Sequence, residues 1–478
     1  MFVFKFLNKK NIFLVLIFCI IFLVLCLFQR YKRYKSSNFI SISADGRNFI
    51  TLPNKKIFTP IGINYFNVLS LDKKTNPLAS TQKDLEKFIS DIAGSGINVL
   101  RIFLDVPNEK NEGWFENPVG VYNEEAAEKM SNLIKLCEEH DVYLVVCFFN
   151  TYYLYNKDFW KGNPYNEANG GPAENYGEML YDEDVTRKNN NHKDVLEAYK
   201  SRIKFVIERW GNSKAIFMWD LYNDSNLNKK SVELLSRYVK KIDPHKRPVT
   251  LQKFTGTIPD PGEIKQIDAV SIRYYPKKED TKNEVVNANI FFDSIKSQIE
   301  KVRRITNKPI YIGEYSWNSF DTKDHENLFL NALWFGVFND TYSSWKWTQD
   351  PNGEWITLNS TQLKQIKIYS EFINKHKLSL KNAVPIDTHC QTEGVCFASF
   401  VKNKIIGYTS LPFDEADYTI SSQVQLMPNF INKKILVEWI DPSSGSIVDR
   451  DWLLAHENFL TIRTSENINP ALFILKIQ

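Results

Sequence analysis

The sequence predicts an α/β fold: a (β/α)8 TIM barrel, preceded by an N-terminal transmembrane helix and followed by a C-terminal β-sandwich. Three observations carry that prediction. Between residue 39 and about residue 375, short β-like runs alternate with stretches of helical periodicity, the order that a parallel sheet with crossover helices requires. From residue 376 the helical periodicity gives way to short β-rich runs separated by turn residues. Near the start, residues 12–28 carry no charged or strongly polar side chain.

The chain divides accordingly into 1–38, a membrane anchor and basic linker; 39–375, the barrel; and 376–478, the accessory β-sandwich. At a helical rise of 1.5 Å per residue the apolar run reaches roughly 25 Å, enough to cross a hydrocarbon core. Lys9 and Lys10 precede it, and Arg30, Lys32, Arg33 and Lys35 follow. No small-residue pair offers a cleavage site after it, so it reads as an uncleaved signal-anchor. Basic residues on both flanks leave its orientation open.

Residues 39–58 read as a hairpin turning at Asp45-Gly46. The barrel strands are expected at 60–66, 98–104, 142–150, 216–221, 248–252, 269–274, 310–314 and 343–347, with amphipathic helices at 81–93, 124–139, 194–209, 229–241 and 291–306. Strands of the β-sandwich are expected at 395–401, 404–409, 416–421, 434–440, 459–463 and 472–477, with Asp441-Pro442-Ser443-Ser444-Gly445 as a turn.

Composition narrows the function classes. With 478 residues, 43% hydrophobic and 24% charged, the chain is globular and too long for one core. A net charge of +4, with no long basic run outside the membrane flank, does not fit a nucleic-acid partner. No spacing of the 6 Cys and 7 His reads as a metal site, and no cofactor motif is present. Cys137 and Cys147 fall in apolar contexts as packing residues, whereas Cys390 and Cys396 bracket a turn and could form a local disulfide in an oxidising compartment. The 11 Trp and 22 Tyr fill a core, and some are expected to line a cleft for sugars, whose C–H faces stack on rings.

Two stretches carry the chemistry. Residues 216–224 read Ile-Phe-Met-Trp-Asp-Leu-Tyr-Asn-Asp, and residues 309–315 read Pro-Ile-Tyr-Ile-Gly-Glu-Tyr. Each is an apolar run leading into an acid, as a buried parallel strand does when it reaches the active face of a barrel. Strands four and seven can face each other across the mouth. Glu314 and Asp224 are thereby candidates for the paired carboxyl groups of glycoside hydrolysis, one a nucleophile and the other a proton donor that later activates water. Each also has a plainer reading: Glu314 as an ion-pair partner of Arg101, and Asp224, followed by Ser225, as a helix cap.

The barrel resembles a clan A glycoside hydrolase, family 5, near its mannanase and cellulase branches. Gly313-Glu314-Tyr315 is similar to the end of that family's seventh strand, which carries the nucleophile. Trp219-Asp220-Leu221-Tyr222-Asn223-Asp224 is similar to its fourth, W-E-L-x-N-E, but has aspartate at both glutamate positions, the acid/base included. Gly62-Ile63-Asn64-Tyr65 resembles the first strand and Gly96-Ile97-Asn98-Val99-Leu100-Arg101 the second. The loop Asn163-Pro164-Tyr165-Asn166 with Gly170-Gly171-Pro172 resembles mannanase-like members. Ser271-Ile272-Arg273-Tyr274-Tyr275 resembles strand six with Arg273 in place of a histidine.

The resemblance implies Glu314 and Asp224 as catalytic residues. It implies Arg101 as the nucleophile's counter-ion, Asn223 on the sugar 2-hydroxyl and Tyr275 on the nucleophile. Asn64, Trp345, Trp347 and Trp160 complete the substrate-binding set, and Tyr165 could extend the cleft with Trp160. It also implies a β-linked polysaccharide or oligosaccharide of mannan or glucan type as partner, and places the barrel outside the cytoplasm.

Aspartate is shorter than glutamate by one C–C bond, roughly 1.5 Å. A displacement of about 1 Å can cost ~10²-fold in rate. The sequence therefore supports a membrane-anchored retaining glycosidase, with a catalytically impaired glycan-binding pseudoenzyme as the alternative.

Overall fold

The computed structural model describes residues 39–478 except 71, 73, 75, 109, 177–191, 226, 254–260, 275–280, 283, 284, 287, 316–321, 343–357, 380–382, 391–393, 412–420 and 465–467. The expected membrane run 12–28 lies outside the described residues. Among the described residues no helix is long and apolar enough to cross a membrane.

The chain opens with a small antiparallel sheet of β1 (Phe39–Ile42), β2 (Phe49–Leu52) and β3 (Lys56–Phe58). The expected hairpin thus has a third strand. The reason is Phe58, whose ring packs edge-on against Tyr143 and Phe217. Ile40, Phe49 and Phe58 join one buried cluster with Val99, Tyr143, Val145, Met218, Ala269, Tyr311 and Tyr342 from the barrel interior. The small sheet therefore seals the end at which the barrel strands begin, and the opposite, carboxyl end is left as the mouth.

Five parallel strands pair in chain order: β4 (Gly62–Asn64), β5 (Val99–Phe103), β6 (Tyr143–Cys147), β7 (Ile216–Asp220) and β8 (Val249–Thr250). A parallel bridge from Gln252 to Ser271 continues the sheet into β9 (Val270–Tyr274), past which lies a small ribbon of β10 (Thr281–Lys282) and β11 (Val285–Val286). β9 pairs with β12 (Ile310–Tyr315), and Tyr311 bridges to Tyr342, where the eighth strand is expected. The rest of that strand, 343–347, lies outside the described residues.

Helices α1 (Gln82–Gly94), α2 (Glu124–His140), α5 (His192–Trp210), α6 (Lys229–Ile242), α7 (Ala288–Ile305), α8 (Thr322–Phe338) and α9 (Ser360–His376) surround the sheet, and two short ones, α3 (Tyr152–Tyr155) and α4 (Lys157–Gly162), sit in the loop after β6. Their starts follow capping chemistry: Thr81, Asn123 and Asn228 accept from backbone N–H groups of the first turn, and Asn359 forms a capping box with Gln362.

Beyond α9 lies an extra β domain of two antiparallel sheets, in the orders β13-β15-β16-β21-β18-β19 and β14-β17-β20. Their strands are β13 (Ala383–Ile386), β14 (Thr388–Cys390), β15 (Val395–Val401), β16 (Lys404–Ser410), β17 (Ser421–Gln425), β18 (Lys434–Ile440), β19 (Ile447–Leu454), β20 (Phe459–Arg463) and β21 (Ala471–Ile477). Trp439, Phe473 and Val437 of the larger sheet meet Val424, Leu460 and Ile462 of the smaller in one apolar cluster.

Three of these strands escape the sequence reading. β13 contains Pro385, and β19 is largely exposed with Asp449, Arg450 and Asp451 at its centre. Both are edge strands of the larger sheet, where proline and charge are tolerated. β14 is three residues long, too short to show a period. The strand expected at 416–421 is observed only from Ser421, since 412–420 lie outside the described residues.

Candidate active site

The mouth is built on inward-facing positions of successive strands. On β5, alternation places Val99 in the interior cluster and Arg101 one layer higher. Arg101 is fully buried and makes five side-chain contacts at the strand ends. Its Nε and Nη2 donate to Asp220 Oδ2 at 3.0 and 2.8 Å. Nη2 also donates to Asn223 Oδ1 at 2.8 Å, while Nη1 donates to Asn64 Oδ1 at 3.3 Å and to Glu314 Oε2 at 3.4 Å.

Burial opposes the Arg101 charge, but Asp220 first, then Cys147, Glu314 and Tyr311, outweigh it and raise the guanidinium above its ordinary range. Burial also pushes the Asp220 carboxyl up, against the pull of Arg101. The partner that holds Arg101 most closely is therefore Asp220, and Glu314 is a longer second contact. That refines the expected Arg101–Glu314 pair.

Glu314 is aimed by a bulge. The β9–β12 register shifts between Ile312 and Glu314, leaving Gly313 at the irregularity. A side chain at Gly313 would put its Cβ 2.2 Å from Ser271 Oγ and 2.8 Å from a Tyr311 ring carbon, so one of these neighbours would have to shift to admit it. The Gly313 carbonyl accepts from Asn64 Nδ2 at 2.9 Å, which ties β4 to β12. Glu314 is buried, at 3% exposure.

Asp224 follows β7 by four residues. The backbone on either side is pinned by parallel bridges, Asn150 to Asn223 and Ser225 to Lys253. Asp224 itself adopts φ +54°, a left-handed conformation that Asp and Asn tolerate better than most residues. It does not cap a helix, since α6 is capped by Asn228. Its Oδ1 accepts from Arg273 Nη1, and Arg273 Nε lies 3.9 Å from Glu314 Oε1. One guanidinium thus lies within ion-pair distance of both carboxylates. Burial, then the charge of Glu314, push the Asp224 carboxyl up to about 7, against Arg273 and Arg101.

Other expected site residues are distributed as follows. Asn223 is buried, accepts from Arg101 and donates through Nδ2 to Asn150 Oδ1 at 3.1 Å. Asn64 and Arg101 have no exposed surface and stand behind the carboxylates, so neither faces a ligand directly. Trp160 is half-buried on α4 against the main apolar cluster, with no contact to either carboxylate among the described interactions. Tyr165 is 3% exposed and donates its hydroxyl to Glu116 Oε1 at 2.5 Å, so it is a packing residue and does not line the cleft. Tyr275, Trp345 and Trp347 lie outside the described residues.

Sequence reasoning missed Asp220 as the main partner of Arg101, Asn150 as the anchor of Asn223, and Arg273 as a member of the site. Inward parity along β7 and β9, counted from the interior layer, is the signal that finds Asp220 and Arg273. Cys390 and Cys396 are joined in a disulfide with Cα atoms 5.8 Å apart.

Comparisons with known proteins agree with this architecture. Residues 165–354, which span both carboxylates, match the family described as "Glycosyl hydrolases family 2, TIM barrel domain". Among curated proteins, a probable mannan endo-1,4-beta-mannosidase A of Aspergillus niger is 26% identical over 176 residues, 34% of this chain and 42% of that protein. Mannan endo-1,4-beta-mannosidase A of Hypocrea jecorina is 26% identical over 218 residues, 40% of this chain and 45% of that protein. The matched stretch therefore spans less than half the length of these relatives.

Among solved structures, a glycoside hydrolase family 5 protein from Bacteroides vulgatus superposes with a TM-score of 0.61 at 12% identity, covering 93% of this chain and 95% of that one. A glycoside hydrolase family 5 mannosidase from Rhizomucor miehei gives 0.55 at 17% identity, covering 71% and 98%. These likenesses establish the fold of this chain, a glycoside-hydrolase-type (β/α)8 barrel with an extra β domain.

Proposed function

We propose that the protein is a retaining glycoside hydrolase acting on a β-linked glycan of mannan type. The observation that supports it best is the convergence of Glu314 and Asp224 on one guanidinium at the barrel mouth. Glu314 attacks the anomeric carbon while Asp224 donates its proton to the leaving oxygen. In the second half-reaction Asp224, now a carboxylate, takes a proton from water as that water displaces Glu314. A carboxyl raised to about 7 is suited to this change of role near neutral pH. Arg101, with Asn64 and Asp220 around it, holds Glu314 in place. Asn223, Tyr275, Trp160, Trp345 and Trp347 remain the proposed sugar contacts. The substrate class rests on the mannosidases that the chain resembles.

One observation favours the impaired, glycan-binding reading: the Arg273 ion pair stabilises Asp224 as a carboxylate, the form that cannot donate a proton. Hydrolysis of β-1,4-mannan and manno-oligosaccharides separates the two. The enzymatic reading expects reducing ends to appear with the wild type and to be lost with Glu314→Gln. Oligosaccharide binding without any turnover would establish the impaired reading instead.

We also propose that residues 12–28 anchor the protein in a membrane with the barrel on the non-cytoplasmic side. The Cys390–Cys396 disulfide supports an oxidising compartment. Detergent-dependent extraction of the full chain, lost on removing residues 1–38, is the expected result. Release by high salt alone would contradict an anchor.

A further inference from the structure

Two of the three positions at which this chain departs from the family 5 pattern, the shortened acid Asp224 after strand four and the arginine on strand six, are in contact with each other. An inference drawn from that contact rests on the proposed function and concerns the same site. Aspartate withdraws its carboxyl from the cleft by one C–C bond, roughly 1.5 Å. Arg273 stands on the inward parity of β9, directly across from Glu314 in the register. Its long planar fork reaches Asp224 through Nη1 and faces Glu314 through Nε at 3.9 Å. Arginine is suited to this geometry because its donors are fixed in one plane and do not lose their charge.

We propose that Arg273 is a positioning residue: it fixes the shortened Asp224 carboxyl toward the scissile oxygen and apportions charge between Asp224 and Glu314. Three features support the assignment. Asp224 is held in a left-handed backbone conformation between two bridges, so its carboxyl has few directions to take. Arg273 is the described side chain that hydrogen-bonds it. Arg101, the other cation of the mouth, is committed to Asp220, Asn223, Asn64 and Glu314.

The charged and titratable groups facing Asp224 are Glu314 from β12, Arg273 from β9 and Arg101 from β5, with Asp220 and Cys147 behind Arg101 and the Lys253 backbone beside Ser225.

The consequence differs between the two half-reactions. Arg273 favours the carboxylate of Asp224, which slows proton donation to a poor leaving group but assists removal of a proton from water. The pair therefore biases the site toward substrates whose leaving group needs little protonation.

The test compares wild type, Arg273→Lys and Arg273→Ala, each checked for a native-like melting transition. Two readouts are used: kcat/KM against pH for aryl β-mannosides with a good and a poor leaving group, and titration of 13C-labelled carboxyl groups by NMR, with Asp224 assigned through Asp224→Asn. The proposal expects the alkaline limb and the Asp224 titration to move to higher pH in Arg273→Ala. It also expects kcat/KM on the poor leaving group to rise at least tenfold relative to the good one in Arg273→Ala, and Arg273→Lys to lie between. An unmoved Asp224 titration, or an equal loss on both substrates, would overturn it. If the wild type turns over neither substrate, the proposed function fails, and the NMR titration still decides the role of Arg273.

Discussion

Asp224 is the residue on which the proposed acid/base step depends. Its carboxyl stands at about 7, raised by burial and by Glu314. The first step needs it protonated, so kcat/KM should fall as pH rises through about 7, and Asp224→Asn should abolish that limb with a loss of ~10²–10⁴-fold on substrates with poor leaving groups. A profile flat to pH 9 would mean that another group donates the proton. Asp224→Glu restores the missing methylene but puts a longer side chain at φ +54°, opposite an arginine already in contact with aspartate. The gain expected from reach is therefore offset unless Arg273 is exchanged as well. Glu314 and Asp224 were readable in the sequence because each follows an apolar strand run, and Arg101 through the resemblance of its strand to a known family. Asp220 and Arg273 stood out as departures from the family motif, but their partners did not, because these depend on which face of a strand points inward. The bulge at Gly313 shifts that parity by one residue on β12.

At the level of elements, the loops after β5 and β6 are joined to α5 by a second buried ionic cluster. Arg202, fully buried on α5, pairs with Asp105 and Glu116 of one loop, donates to the Phe148 carbonyl at 3.1 Å, and lies over the rings of Phe149 and Tyr165 at 5.0 and 5.3 Å. Glu116 also accepts from Tyr165 and from the Gly120 amide. Removing one member leaves buried charge without its counter-ion. Arg202→Met should thus destabilise the fold by about 3–5 kcal/mol, read by denaturant melting. A change below ~1 kcal/mol would show that the cluster is not a structural clamp. Asn359→Ala, which removes the capping box of α9, should cost only about 1 kcal/mol in the same assay. The helices were legible from their caps and apolar stripes. The clamp was not, because its members are separated by up to 97 residues in sequence and nothing local links them.

At the level of the whole molecule, the barrel and the β domain share one core. Trp334, Phe335 and Phe338 of α8 and Tyr369 and Phe372 of α9 cluster with Phe397, Tyr408, Leu472 and Ile474 of the larger sheet. Tyr408 donates its hydroxyl to Asn331 of α8. A chain ending after α9 would expose that surface. It should therefore yield aggregated or insoluble protein, read as the soluble fraction against the full chain. A monodisperse, folded barrel would show that the β domain is an independent attachment. The alternation of strands and helices made the barrel legible. The shared core was not, since the apolar residues of α8 and of the β strands read equally well as facing their own domains.

Glu314 is proposed as the nucleophile of a site completed by Asp224. This assignment is tested most directly by incubating the protein with a 2-deoxy-2-fluoro-β-mannoside that carries a good leaving group, a reagent that does not depend on the acid. The site of attachment is then located by peptide mass spectrometry. Stoichiometric labelling on Glu314 is expected, in wild type and in Asp224→Asn alike. No label, or a label on any other residue, would contradict it.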